Sequence, residues 1–266
     1  MTTRPWLRWT LAVVIAAVSI LYQRMTGPTH PVRGHVAVDG ADVKFRLPRS
    51  HAGEGDAEIK IPVRDAAVHG TIEFCRFPTD DPLTRQGMER RGEDLVARIP
   101  HQPIAGKVKY RILLDKGGAD PVALSDEPVI MRFKGNVPLV VLIPHILGIV
   151  AAMVLSVRAG LEALAKGSRT FTLAVWTTIC LFLGGLFFGA IVQKCAFEAY
   201  WRGWPFGYDL TDNKTLIAFL FWLVAVWQTA RNRTSSGWVI AASVIMLVIW
   251  LIPHSVLGSE LDYARA

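Results

Sequence analysis

The sequence predicts a membrane protein of mixed α and β structure, with about five transmembrane helices. An extracytoplasmic β-sandwich of immunoglobulin or fibronectin type is expected between the first helix and the second. Three observations carry this. Five apolar runs punctuate the 266 residues, of which 52% are hydrophobic. Residues 24–136, between the first two runs, have the composition of a soluble domain, with apolar and polar positions alternating. Basic residues gather in alternate short loops beside the apolar runs, the asymmetry that membrane insertion imposes.

The first run, Trp6 to Tyr22, follows Arg4 and overlaps Arg8, a basic start before a hydrophobic stretch that resembles a signal peptide. No small-residue cleavage site follows it, since Leu21-Tyr22-Gln23-Arg24 is bulky and charged. Residues 1–23 are therefore expected to remain as a signal-anchor helix. The outer domain, 24–136, shows strand candidates at 43–47, 58–63, 68–77, 95–99, 107–114 and 129–133. Turn residues such as Asp81-Pro82, Pro103, Gly106 and Gly117-Gly118 separate them. Short strands at this spacing suit a sandwich. Such domains more often bind or brace than catalyse.

Residues 137–266 form a four-helix transmembrane domain in this reading, with spans near 137–157, 171–192, 213–230 and 238–253. Every backbone amide in lipid must bond within its own segment, so each span is helical. Asp212 is the expected N-cap of the fourth span overall, and Asp209 is a second capping candidate. With the N-terminus inside, the inner segments carry Arg4, Arg8, Arg158, Lys166, Arg169, Arg231 and Arg233 against the single acid Glu162. The β domain, the 193–215 loop and the C-terminus then lie outside, in the periplasm of a bacterium.

The net charge of +7 does not indicate nucleic acid, because residues 24–136 carry 18 Lys and Arg against 16 Asp and Glu. The excess lies at the membrane loops, and no basic stripe is present. The three cysteines, Cys75, Cys180 and Cys195, have no zinc spacing. Cys75 and Cys195 fall on one side of the membrane in this topology, which permits a disulfide if that side is oxidising.

One tetrapeptide occurs twice. Leu142-Ile143-Pro144-His145 opens the second span, and Leu251-Ile252-Pro253-His254 closes the fifth. Opposite helix directions bring both histidines toward the outer face, with His145 ~10 Å below the start of its run. Ionisable groups at such depth are commonly functional. Together, His145 and His254 are candidate ligands of a b-type haem or a transition metal. The plainer account is that each ring bonds a carbonyl freed near its proline. Glu198, Asp209, Asp212 and Glu260 reach the same rim and are candidate further metal ligands or carboxylate partners of the imidazoles. The loop between Phe197 and Tyr208 holds six aromatic residues and suits the headgroup belt. Ser255 and Ser259 lack a nucleophile-elbow frame. Gly184, Gly185 and Gly189 give a small-x-x-x-small pattern for helix packing, in the run Gly185-Leu186-Phe187-Phe188-Gly189.

The stretch Pro144-His145 through Arg158-Ala159-Gly160-Leu161-Glu162, the loop Trp204 to Lys214 and the ending Pro253 to Glu260 resemble a family of bacterial polytopic inner-membrane proteins. Pro100-His101-Gln102-Pro103 with Ala105-Gly106-Lys107 is similar as well. The resemblance implies a bacterial inner-membrane location and an outer immunoglobulin- or fibronectin-like domain. No activity is established for that family. Three readings follow for the function: an accessory protein with a haem or metal site at the rim; a non-catalytic anchored module whose β domain binds an envelope partner; and a small transporter or lipid-modifying enzyme. A non-enzymatic role is favoured.

Overall fold

A computed structural model describes residues 5–117, 120–253, 261 and 263. The chain combines apolar helices with several β-sheets and divides into two units. One is Met1–Pro28 with Val137–Ser259, and the other is Thr29–Asn136 with Glu260–Ala266.

The helical unit begins with α1 (Pro5–Thr26) and continues with α2 (Leu139–Leu164). Next come α3 (Thr170–Leu181), a π-helical stretch (Phe182–Phe188) and α4 (Gly189–Phe197), which run on without a break. Two further helices, α5 (Leu210–Arg231) and α6 (Ser236–Leu251), complete it. Among the described residues, four helices are long and apolar enough to cross a membrane: α1, α2, the continuous Thr170–Phe197 and α5. The expected fifth span corresponds to α6, which has only 16 residues. That gives ~24 Å of rise against about 30 Å of hydrocarbon. The helix stops at Leu251 because Ile252 precedes Pro253 and is driven to extended backbone, φ −74° and ψ 118°.

Small residues let the helices approach. Ala12 and Ala16 of α1, Ala152 and Ala159 of α2, Ala218 and Ala225 of α5 and Ala242 of α6 are all buried in one cluster around Trp222. The indole Nε1 of Trp222 donates to Sδ of Met246, 3.2 Å away. Ser243 of α6 donates to the Ser156 carbonyl of α2 at 2.9 Å. Large side chains such as Leu139, Leu147, Trp176 and Val248 face outward, as lipid-facing surface requires.

The β unit opens with a hairpin, β1 (Val32–Val38) and β2 (Ala41–Leu47), turned by Asp39 and Gly40 at φ 47° and 80°. Then follow β3 (Ser50–Ala52), β4 (Ala57–Pro62), β5 (Val68–Phe77), β6 (Thr84–Gly87) and β7 (Glu89–Arg91). The last four are β8 (Asp94–Ile99), β9 (Lys107–Lys116), β10 (Val122–Ala123) and β11 (Val129–Lys134). One sheet has the order β3-β11-β9-β5-β6, with β10 beside β9, and another has β4-β8-β7. The β3–β11 pair is parallel and the other pairs are antiparallel. Both sheets bury their alternating apolar residues in one core that includes Ile59, Ile72, Leu95, Ile112 and Met131. Tyr110 lies in that core, and burial raises its phenol pKa well above the ordinary value of 10.0. Its hydroxyl donates to the Pro48 carbonyl at 2.8 Å, tying β9 to the chain between β2 and β3. Near the C-terminus, Leu261 N–H donates to the Ala105 carbonyl, and the Tyr263 hydroxyl donates to the Lys107 carbonyl.

Candidate functional site

The proline-histidine corner of α2 lies against the π-helical stretch. Pro144 cannot donate to the preceding turn, and the next side chain, His145, turns to the neighbouring helix. Its Nδ1 is 2.8 Å from the Gly184 carbonyl oxygen. A carbonyl only accepts, so Nδ1 carries the proton and Nε2 keeps its lone pair in the neutral ring. The Gly184 carbonyl also receives the Gly189 N–H, the long-turn bond that marks π geometry. The two backbones nearly touch here, since a Cβ on Gly184 would meet Gly148 C and Ile149 N at 2.6 Å. The glycines that the sequence marks for close packing therefore also bring a carbonyl within reach of the imidazole.

At the start of α5 the polar loop residues hold backbone ends. Asp209, not Asp212, is the N-cap: its Oδ1 accepts from Thr211 N at 2.8 Å and Asp212 N at 3.4 Å. The cap falls one turn earlier than expected because Asp209 alone sits outside the helix with its carboxylate over the free N–H groups. Asp212, buried in the first turn, accepts from the Arg202 N–H at 2.7 Å. Asn213 Oδ1 accepts from the Trp204 N–H at 2.6 Å. Gly203 fits between them, for a Cβ there would come within 2.8 Å of both side chains. Lys214, also buried, donates from Nζ to the Ile252 carbonyl at 2.7 Å and so closes the end of α6. Glu198 ends α4 in the left-handed region at φ 63°, and its side chain is exposed. Trp204, Phe206 and Tyr208 project from the loop, 67%, 84% and 93% exposed, as an aromatic belt would.

Of the six candidate ligands, the structure brings Asp209 and Asp212 together, as cap and capped turn. His145 is bound to the π stretch, and Glu198 faces outward. His254 and Glu260 lie outside the described residues. Among the described residues, no three His, Cys, Asp or Glu side chains stand close enough to hold a metal ion. The cysteines are free thiols. His101 is exposed, as its turn position suggests, and lies near the Gly55 carbonyl.

Two further features carry no local sequence signal. At the opposite end of the helical unit, buried Glu162 accepts from Arg8 Nη1 at 2.6 Å and from Arg158 Nη1 at 2.8 Å. Arg158 also lies over the Trp9 ring, 5.3 Å from its centroid. The one hint in the sequence is that Glu162 is the sole acid among the basic residues of that end. In the β unit, β6 is a fully exposed edge strand; a cavity of 310 Å³ reaches Thr84 at its start, and one of 140 Å³ lies over β5 and β9, lined by Glu73, Lys109, Tyr110 and Arg111. Arg76 and Asp81 pair at the rim of the larger, with Nε–Oδ2 at 2.5 Å.

No protein-family model matches this chain, and neither does any curated protein or any solved structure.

Proposed function

We propose that the chain is a membrane-anchored accessory protein of the bacterial inner membrane: the helical unit is the anchor, and the β unit, on the periplasmic side, binds an envelope protein. One observation carries this reading. The polar loop groups Asp209, Asp212, Asn213 and Lys214 are engaged in holding backbone ends, whereas the β unit keeps open cavities and, among the described residues, a strand edge, β6, that pairs on one side only. The strand orders β3-β11-β9-β5-β6 and β4-β8-β7, with β3 parallel to β11, support a sandwich of immunoglobulin type. Residues 29–136 contain no tryptophan and only Cys75, so the antibody-type disulfide and its packed tryptophan are not part of it.

Photo-crosslinking amino acids placed singly at exposed positions of the β unit, such as His35, Lys60, Arg85 and Gln86, test the reading in living cells. Discrete adducts containing one recurrent envelope protein are expected. A β unit that yields no adduct from any face overturns the module.

A second reading rests on His145. Its Nδ1–H bond to a carbonyl is the support that metal-bound imidazoles usually have, and Nε2 could then ligate a haem iron or a transition metal, with His254 as partner. A Soret band or stoichiometric metal in purified protein, lost in both His145→Ala and His254→Ala, would establish it in place of the module.

A further inference from the structure

We infer that the end of the helical unit where α5 finishes and α6 begins holds an acidic phospholipid. Arg231 and Arg233, each stacked on an aromatic ring, receive its phosphate, and its acyl chain runs along an apolar stripe of α5. This goes beyond the module reading and shares with it only the premise that the helical unit lies in a bilayer.

The positive charge at this end is not spent within the protein. Lys166 and Arg169 lie in the α2–α3 connection, Arg231 is the last residue of α5, and Arg233 follows in the α5–α6 connection. All four are exposed. The one acid nearby, Glu162, is buried and taken by Arg8 and Arg158; Arg169 reaches it with its backbone N–H, at 3.5 Å. Among the described residues, no carboxylate stands within ion-pair distance of any of the four side chains. The two connections meet, because the Arg233 guanidinium lies 3.7 Å from the ring centroid of Phe171, two positions past Arg169. An anion arriving here finds cations from both.

The surroundings select a lipid over a water-soluble anion. The Arg231 guanidinium lies 4.4 Å from the ring centroid of Trp227, one turn back on α5. Trp227 is 51% exposed, and Leu220, Leu223 and Val224 are exposed with it. Their spacing of three, four, seven and eleven residues puts all of them on one face of the helix with Arg231 at its end. From Leu220 to Arg231 that face rises about 16 Å, close to the thickness of one leaflet, about 15 Å of hydrocarbon. An apolar track thus leads to a cation at headgroup level, with an indole at the boundary. A guanidinium resting on a ring keeps its N–H edge free and meets phosphate oxygens two at a time, which an ammonium cannot do. The orientation tendency of membrane loops does not ask for this arrangement, since it counts lysine and arginine alike and needs no ring. Charge, track and stacked arginines together match a phosphodiester carrying acyl chains.

The test uses the purified full-length chain in nanodiscs of phosphatidylcholine with increasing fractions of a lipid brominated on its acyl chains, which quenches indole fluorescence on contact. All nine tryptophans belong to the helical unit, so the signal is read without the β unit. Brominated phosphatidylglycerol is expected to quench saturably and at a lower fraction than brominated phosphatidylcholine. Trp227→Phe, which keeps a ring under Arg231, should remove most of that saturable quenching. Each cation near an acidic lipid adds about fivefold to affinity, so Arg231→Gln with Arg233→Gln should shift the midpoint about 25-fold. Arg231→Lys with Arg233→Lys keeps the charge but not the stacked fork, and should shift it in the same direction by less; if the glutamine pair misfolds, the lysine pair carries the test. Equal midpoints for the two lipids overturn the inference. So does a lysine pair that binds as well as the arginines, for the attraction would then be diffuse charge. Full competition by glycerophosphoglycerol, the headgroup without its chains, overturns it as well, because a water-soluble anion would then be the ligand. Any of these leaves the module reading standing, whereas a chain that stays in solution without detergent or lipid sinks both.

Discussion

Glu162 is the residue on which the largest single energetic effect is expected. It is 5% exposed and takes hydrogen bonds from two guanidinium groups on different helices. Removing one partner of such a set leaves uncompensated buried charge, so Glu162→Ala should cost about 3 kcal/mol. Arg8→Ala should cost clearly less, because Arg158, four residues away on the same helix, still neutralises the carboxylate. Thermal unfolding in detergent ranks the two, and equal costs would show that Arg158 does not compensate. A milder, pH-dependent effect is expected at Asp81. Its hydrogen bond from Arg76 holds its carboxyl below the ordinary 3.8. A carboxyl with a depressed folded-state pKa contributes stability that is complete above the unfolded value and is lost as pH falls through the lower one. Asp81→Asn should therefore lower stability of the β unit at neutral pH and flatten its dependence on pH below about 4. The β unit has no tryptophan and the helices dominate far-ultraviolet circular dichroism, so hydrogen exchange of the β-unit amides is the appropriate readout. An unchanged acid profile would remove Asp81 from the account.

At the scale of elements, the π-helical stretch and its neighbour α2 are matched backbone to backbone. A Cβ on Gly184 would strike main-chain atoms at 2.6 Å, which cannot rotate away, whereas one on Gly185 would meet the Thr215 methyl at 2.9 Å, which can. Gly184→Ala is expected to cost about 2 kcal/mol of overpacking and to break the His145 bond, and Gly185→Ala much less. Comparable unfolding temperatures for the two would refute the contact. What was legible in the sequence follows from the same distinction. The six strands expected from alternation are all present, because each buries every second residue in the core. β6 and β7 left no alternation to read, since the first is exposed throughout. β1 was obscured by Gly34, which reads as a turn but sits in a strand under the Phe45 ring, 2.6 Å from where its Cβ would be. At the loop, the sequence offers both Asp212 and Asp209 as caps and puts Asp212 first, whereas Asp209 is the cap. Which carboxylate caps α5 depends on which N–H groups lie opposite it, and Asp209 and Asp212 differ by a single turn. The Arg8–Glu162 pair spans 154 positions and has no periodic signature.

For the whole molecule, the decisive quantity is the distribution of charge between the two ends of the helical unit. Arg8, Arg158, Lys166, Arg169, Arg231 and Arg233 belong to the end where α1 and α6 begin and α2 and α5 finish, a placement tied together by the Arg8–Glu162 pair and by Arg233 stacked on Phe171 at 3.7 Å. Glu162 is neutralised there by two arginines, so the end remains strongly positive and should stay in the cytoplasm. If α1, α2, the Thr170–Phe197 helix and α5 all cross, the α5–α6 connection shares the side of the N-terminus whether or not the short α6 spans. A cysteine at Thr234 should therefore react with a membrane-impermeant maleimide only after spheroplasts are opened, while one at Arg85 should react before. Changing Lys166, Arg169, Arg231 and Arg233 together to Gln should yield a mixed population, because few basic residues would then hold the orientation. Early labelling at both Thr234 and Arg85 in the unaltered charge background would mean that one of the four helices does not cross. Early labelling at Thr234 with none at Arg85 would put the β unit in the cytoplasm, and the periplasmic partner proposed for it would lose its basis.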